Sequence, residues 1–209
     1  MKWDLFYEKV QDMPVIETKM LRLLFDNKNI ELQLNRWIKQ GKIIQLKRGF
    51  YILEENYRKL DVFEPYIASI LKSPSYISLE KALEMHHLIP DVVFSITSVT
   101  TKQRPAEFVS RIGRFKYSSI KKEYFWGYHT IELDDQKGYL ADPEKALIDL
   151  FYFKQKRISI EYIQSLRLQN IELLKLDKLE RYAVKLDVSF VNRAVSELEK
   201  LYDLSLIHI

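Results

Sequence analysis

Asn29 to Ile52 reads NIELQLNRWIKQGKIIQLKRGFYI. Ile30, Leu34, Trp37 and Ile38 recur at the spacing of one helical face, while Gln33, Arg36 and Lys39 fall on the other with Gln40 beside them. Asn29 is placed to cap this helix, because an Asn side chain can accept from an otherwise unpaired backbone N–H. Gly41 stands where a helix commonly ends in a left-handed residue. Beyond it Ile43, Ile44, Leu46, Phe50, Tyr51 and Ile52 favour strand, and Lys47-Arg48-Gly49 reads as the tight turn between two strands, Gly49 tolerating positive φ. A helix, a glycine stop and a basic hairpin in this order predict the core of a winged helix-turn-helix. A helix of about 10 residues is roughly 15 Å long, which suits a major groove roughly 12 Å wide.

Charge gathers on the same part of the chain. From Lys19 to Arg48 eight cations (Lys19, Arg22, Lys28, Arg36, Lys39, Lys42, Lys47, Arg48) oppose Asp26 and Glu31, a net of +6. The whole chain carries +4, so everything else sums to −2 and the basicity is local. Phosphate contacts supply most of the sequence-independent affinity of a protein for DNA. Gln33, Asn35 and Arg36 are residue types that pair with base edges. Lys39, Lys42, Lys47 and Arg48 are of the type that holds phosphates, the last two from a wing in or near the minor groove. A charge run alone reads as a solvated basic face; its coincidence with the helix and hairpin is what favours nucleic acid.

Composition bounds the rest. A chain of 209 residues suffices for two small domains or one medium one, and 47% hydrophobic with 30% charged residues is ordinary for a globular protein. The absence of cysteine removes disulfides, zinc ribbons and cysteine nucleophiles and fits a reducing cytoplasm. No apolar run approaches the roughly 20 residues of a membrane span, and MKWDLFYEKV has no signal-peptide core, so a cytoplasmic protein without a membrane partner is expected. The glycines, at 41, 49, 113, 127 and 138, never form GxG, which argues against phosphate-loop and dinucleotide-binding enzymes. LSLIHI at 204–209 matches the translation of a common transposon-derived sequencing adapter, so a non-native tail is expected there and His208 carries no functional argument.

Along the chain, helices are expected over 2–11 and 18–25, with a short strand at Val15 and Ile16 after Pro14. The first domain then spans 1–55 and a polar connector, 54–61, leads to a second over 62–203. A helix over 62–71 is broken by Ser73-Pro74-Ser75, and Ser78 is a good cap for a helix over 79–87. Strands over 94–99, 108–112, 114–120, 128–133 and 138–141 predict a small, mostly antiparallel sheet. Asp142-Pro143 opens a helix with Asp as its cap, and 160–201 is helical with polar breaks near Gln169-Asn170 and Asp187. The fold class is thus α+β: a winged helix-turn-helix, then a mixed α+β domain with a helical C-terminus.

Three further constellations invite chemistry. Asp142, Glu144, Lys145 and Asp149 resemble an acid–base cluster, but capping, the helix dipole and an i,i+4 Lys145–Asp149 pair explain them. His86-His87 point apart on a helix and no carboxylate lies at ligand spacing, so no metal and no cofactor is expected. From Lys102 to Lys122, seven cations including Arg104, Arg111, Arg114 and Lys116 oppose only Glu107 and the neighbouring Glu123. Phe108, Phe115, Tyr117, Tyr124, Phe125 and Trp126 interleave with them or follow. Such strands can stack single-stranded nucleic acid, and the same alternation describes one sheet face packed inward.

Three segments in this order carry a resemblance. They are Gly41-Lys42-Ile43 running to Lys47-Arg48-Gly49-Phe50-Tyr51, then Tyr76 to Leu83 (YISLEKAL) with His87-Leu88-Ile89-Pro90, then Ala141 to Leu150 (ADPEKALIDL). The chain resembles the AbiEi family, the antitoxin-type transcriptional regulators of AbiE abortive-infection toxin–antitoxin systems, over about residues 13–153. The resemblance implies binding to inverted repeats in the protein's own promoter, autorepression of the operon, and opposition to a nucleotidyltransferase-like toxin by the C-terminal domain. It implies no catalytic residue, and Glu132-Leu133-Asp134 has no Gly-Ser lead-in of the kind that precedes the paired aspartates of such a toxin. Two rival readings remain: an antitoxin that works through protein contacts without DNA, and an RNA-binding module using the 102–122 strands.

Overall fold

The computed structural model describes residues 2–25, 29–155 and 158–206, with the backbone alone over 202–206. The chain opens with α1 (Trp3–Val10), β1 (Ile16–Glu17), α2 (Thr18–Leu24), α3 (Ile30–Lys39), β2 (Ile43–Lys47) and β3 (Phe50–Leu53). The three strands form a sheet of order β1-β3-β2, antiparallel throughout. Gly41 and Gly49 both take positive φ, where an added Cβ would be strained. Phe6 and Val10 of α1, Leu21 of α2 and Ile30, Leu34 and Trp37 of α3 bury against Ile43, Tyr51 and Leu53 of the hairpin. Trp3 and Phe6 close on Trp37 with ring centroids 5.2 and 4.4 Å away.

After a 3-10 turn at Glu55–Tyr57 come α4 (Glu64–Leu71), β4 (Ser75–Ile77), α5 (Leu79–Met85), β5 (Ser95–Thr100), β6 (Ala106–Ser110), β7 (Gly113–Ser119), β8 (Tyr128–Leu133) and β9 (Gln136–Ala141). The chain ends with α6 (Pro143–Lys154), α7 (Ile160–Ser165), α8 (Leu176–Leu186) and α9 (Ser189–Leu206). Breaks fall at Asn170 and Asp187, both left-handed, as the polar residues there predict. Of the expected tail at 204–209, residues 207–209 lie outside the described residues.

The larger sheet has the order β6-β7-β5-β4-β9-β8. It is mixed, and mostly antiparallel as expected: β6–β7, β5–β4 and β9–β8 pair antiparallel, while β5–β7 and β4–β9 pair parallel between them. Its central strand β4 was not among the expected strands: three residues are too short to display a period of two. Gly138 lets α4 lie on β9, since a Cβ there would come within 2.6 Å of the Pro65 backbone carbon.

The hairpin is shared between the two halves of the molecule. Alternate residues of a strand face opposite sides, and while Ile43, Tyr51 and Leu53 join the N-terminal core, Ile44, Leu46 and Ile52 join the larger core with Val15. The stretch of chain before the polar connector therefore contributes to both cores.

Candidate nucleic-acid interface

The outward face of α3 follows from its inward one. With Ile30, Leu34 and Trp37 buried, Leu32, Asn35, Arg36 and Lys39 are exposed at i, i+3, i+4 and i+7, and Gln33 is half-buried at the margin. Asn29 occupies the N-cap position, but its side chain makes no capping hydrogen bond. Lys42, beyond the helix, is half-buried with its ammonium 4.6 Å from the centre of the Trp3 ring.

The hairpin tip is a two-residue turn, Arg48-Gly49, tied to α2. The Thr18 N–H donates to the Gly49 carbonyl at 2.9 Å, and the Thr18 hydroxyl reaches the same oxygen at 3.4 Å. Arg48 is thereby held beside Lys19 and Arg22 of α2, and the three cations line an open groove of about 360 Å³ with Thr18, Glu31, Gly49 and Tyr51. Arg22 donates to Glu31 and holds that carboxyl below its ordinary range. Lys19 and Arg22 belong to the basic run of the sequence; their grouping with Arg48 depends on the Thr18–Gly49 contact, for which nothing local in the sequence is a signal.

Lys47, expected to hold a phosphate, is engaged within the molecule. Its ammonium donates to the carbonyls of Ile70 and Leu71, both at 2.9 Å, and so closes the C-terminal end of α4, where unpaired carbonyls favour a cation. Burial there lowers its pKa. Lys47 joins the hairpin to the second half of the molecule. Lys47→Met, which keeps the stem and deletes the donors, is expected to cost about 1–2 kcal/mol in urea unfolding. If the protein binds DNA, it should leave the salt dependence of that binding unchanged; a loss of one phosphate contact's worth of slope would contradict the assignment.

The second basic stretch forms the β6–β7 edge of the large sheet. Arg114 pairs with Glu107 at 2.7 Å and Arg111 with Glu54, so two of the four cations expected to form an auxiliary surface are matched by carboxylates. Lys116 and Arg104 are exposed. The interleaved rings point the other way: Phe115 and Tyr117 are buried, the Tyr117 hydroxyl donates to the Ala68 carbonyl at 2.7 Å, and Phe108, Tyr124, Phe125 and Trp126 are half-buried. The alternation belongs to a sheet face packed inward, which leaves no exposed ring among these six for stacking a base.

The ADPEKALIDL segment is a buried charge network. Asp142 stands at the N-cap of α6 but does not cap it. Its carboxylate instead accepts from the Tyr182 hydroxyl at 2.8 Å and lies 3.0 Å from His129 Nδ1 and 3.1 Å from Lys178. Glu144 is buried 2.9 Å from Lys178 and accepts from the Lys175 N–H at 3.0 Å. Lys145 and Asp149 form the expected i,i+4 pair, both wholly buried. Ser78, too, is at an N-cap without capping, because its hydroxyl donates to Asp149 at 2.8 Å.

Burial would raise the Asp142 carboxyl, but the bonds from Tyr182, His129 and Lys178 outweigh it and hold the group below the usual carboxylate range. A depressed carboxyl stabilises the fold above its unfolded value, about pH 4, and that contribution is lost as the pH falls through the folded value. Asp142→Asn is expected to cost about 1–2 kcal/mol at neutral pH and to flatten the decline of stability below about pH 4. Parallel acid unfolding curves for the two proteins would refute this.

Among the described residues, no group of three or more His, Asp or Glu side chains is placed to hold a metal, and no helix is long and apolar enough to cross a membrane. No protein-family model matches the chain, and no curated protein matches it.

Proposed function

We propose that this protein is a DNA-binding transcriptional regulator of the AbiEi antitoxin type, with a winged helix-turn-helix at its N-terminus and no catalytic activity of its own. The observation that carries the reading is the outward face of α3, where Asn35, Arg36 and Lys39 are all exposed on a helix whose opposite face is fully packed. The element order and the β1-β3-β2 sheet agree with a winged module, in which α3 would enter the major groove. In this reading Gln33, Asn35 and Arg36 read bases while Lys39, Lys42 and Arg48 hold phosphates. The C-terminal helices and the larger sheet would carry the antitoxin role against a nucleotidyltransferase-like toxin encoded beside it. The test is binding of the purified protein to its own upstream DNA and to a scrambled duplex across a salt series. More than about a hundredfold preference for the native fragment with a steep negative salt slope supports a specific repressor; equal binding to both contradicts it.

A second reading has an observation of its own. Met20, Leu23 and Leu24 form an apolar stripe on the exposed side of α2, with Leu23 83% accessible. An antitoxin that used its N-terminal module for protein contact would place the partner on this stripe, and it would bind the neighbouring gene product without binding the promoter.

A further inference from the structure

The groove at the hairpin tip has the composition of an anion site with an internal competitor. Lys19, Arg22 and Arg48 come from two elements brought together by the Thr18 N–H and hydroxyl on the Gly49 carbonyl. That carbonyl is consumed by the contact. Among the described residues Lys19 and Arg48 make no ion pair, whereas Arg22 is engaged by Glu31, the one carboxylate lining the groove. Both members of that pair are substantially exposed, their side chains 65% and 46% accessible, so the pair exchanges with solvent at little cost. Guanidinium and ammonium groups converging on a groove of about 360 Å³ fit a phosphate group, which accepts several charge-assisted hydrogen bonds at once.

We infer that this groove binds a phosphate group through Lys19, Arg22 and Arg48, and that Glu31 regulates it by occupying Arg22 when the groove is empty. The phosphate belongs to a DNA backbone beside the face of α3, a source that rests on the regulator reading; the groove chemistry itself does not. Glu31 opposes phosphate both by direct repulsion and by occupying the donor the phosphate needs. Its loss should therefore strengthen binding.

The experiment measures salt-dependent binding of a scrambled duplex by the full chain and by Lys19→Gln, Arg48→Gln and Glu31→Gln, all exposed or half-exposed side chains. In parallel, the amide signals of Thr18, Lys19 and Gly49 are followed while inorganic phosphate is titrated. Lys19→Gln and Arg48→Gln should each flatten the salt slope by about 0.9. Glu31→Gln should steepen it by a similar amount and bind about fivefold tighter at low salt, the equivalent of about 1 kcal/mol for a unit charge near 4 Å in water. Wild-type slopes in Lys19→Gln and Arg48→Gln, with duplex binding intact, would overturn the groove and leave the regulator reading standing. Flattened slopes with no gain in Glu31→Gln would overturn the role of Glu31. If duplex is not bound but phosphate shifts the three amides, and Arg48→Gln abolishes the shifts, the groove stands and its ligand is a free phosphate; if neither ligand binds, both readings fall.

Discussion

Asp149→Ala is expected to lower stability by about 3–5 kcal/mol, the cost of leaving one member of a buried ion pair without the other. Lys145 and Asp149 are both fully buried one helical turn apart on α6. Asp149 receives three donors: Lys145, the Tyr76 hydroxyl at 2.9 Å and the Ser78 hydroxyl at 2.8 Å. Lys145 also lies 4.8 Å from the centre of the Trp126 ring, and Gly127 leaves room for its stem, since a Cβ there would come within 3.1 Å of Lys145 Cγ. Burial pushes the Asp149 carboxyl above the usual carboxylate range against the pull of Lys145, Ser78 and Tyr76. Tyr76 is raised well above its ordinary value by burial and then by Asp149. Deleting Asp149 strands a wholly buried ammonium and leaves two hydroxyls without their acceptor. For a chain of this size the loss corresponds to roughly 10 °C in Tm. The double change Lys145→Met with Asp149→Leu should restore most of it, because removing both charges removes the desolvation penalty with the attraction. A loss under about 1 kcal/mol for Asp149→Ala, measured by urea unfolding, would mean that the core relaxes around the charge. Recovery in the double variant would make this network a matter of packing.

The local periodicities were legible and the long-range competitors were not. Both faces of α3 follow from the spacing of Ile30, Leu34 and Trp37, because a helix that buries one stripe must expose the other. The hairpin was legible as two strands, yet its second buried face was missed although the chain carries a signal for it. Ile43-Ile44 and Phe50 to Leu53 are continuous apolar runs, and such runs mark strands covered on both sides. Ser78 and Asp142 illustrate the opposite limit. Each is a good capping residue at a true helix start, and each spends its side chain on a partner far along the chain: Asp149, 71 residues away, for Ser78 and Tyr182, 40 residues away, for Asp142. Local propensity contains no term for such a competitor. The same holds for Lys47, whose role depends on where α4 ends in space, 23 residues on. For the candidate interface, the residue types on α3 could be read directly, whereas the groove of Lys19, Arg22 and Arg48 exists only once α2 and the hairpin tip are joined.

Arg36→Ala should weaken binding to the protein's preferred duplex by about 1–3 kcal/mol, up to a hundredfold or so, while changing binding to a scrambled duplex far less. The asymmetry follows from position. Arg36 lies at the centre of the exposed face of α3, beside Asn35, and makes no ion pair among the described residues. A guanidinium placed there can present two parallel donors to the O6 and N7 of a guanine, a pattern no other base pair offers in the major groove. Lys39, one turn further along, is also exposed but has only a point charge to offer, so Lys39→Ala should weaken both duplexes alike and flatten the salt slope by roughly 0.9. In the regulator reading, Arg36 and Lys39 would divide specificity from affinity on one helical face. Arg36→Lys separates the two further: it keeps the charge and loses the fork, so it should preserve the salt slope and still lose the preference. Equal loss on both duplexes for Arg36→Ala would place Arg36 on the backbone. In that case α3 would lie across the groove and not within it, and base recognition would pass to the residues nearer its N-terminus, Leu32 and Gln33.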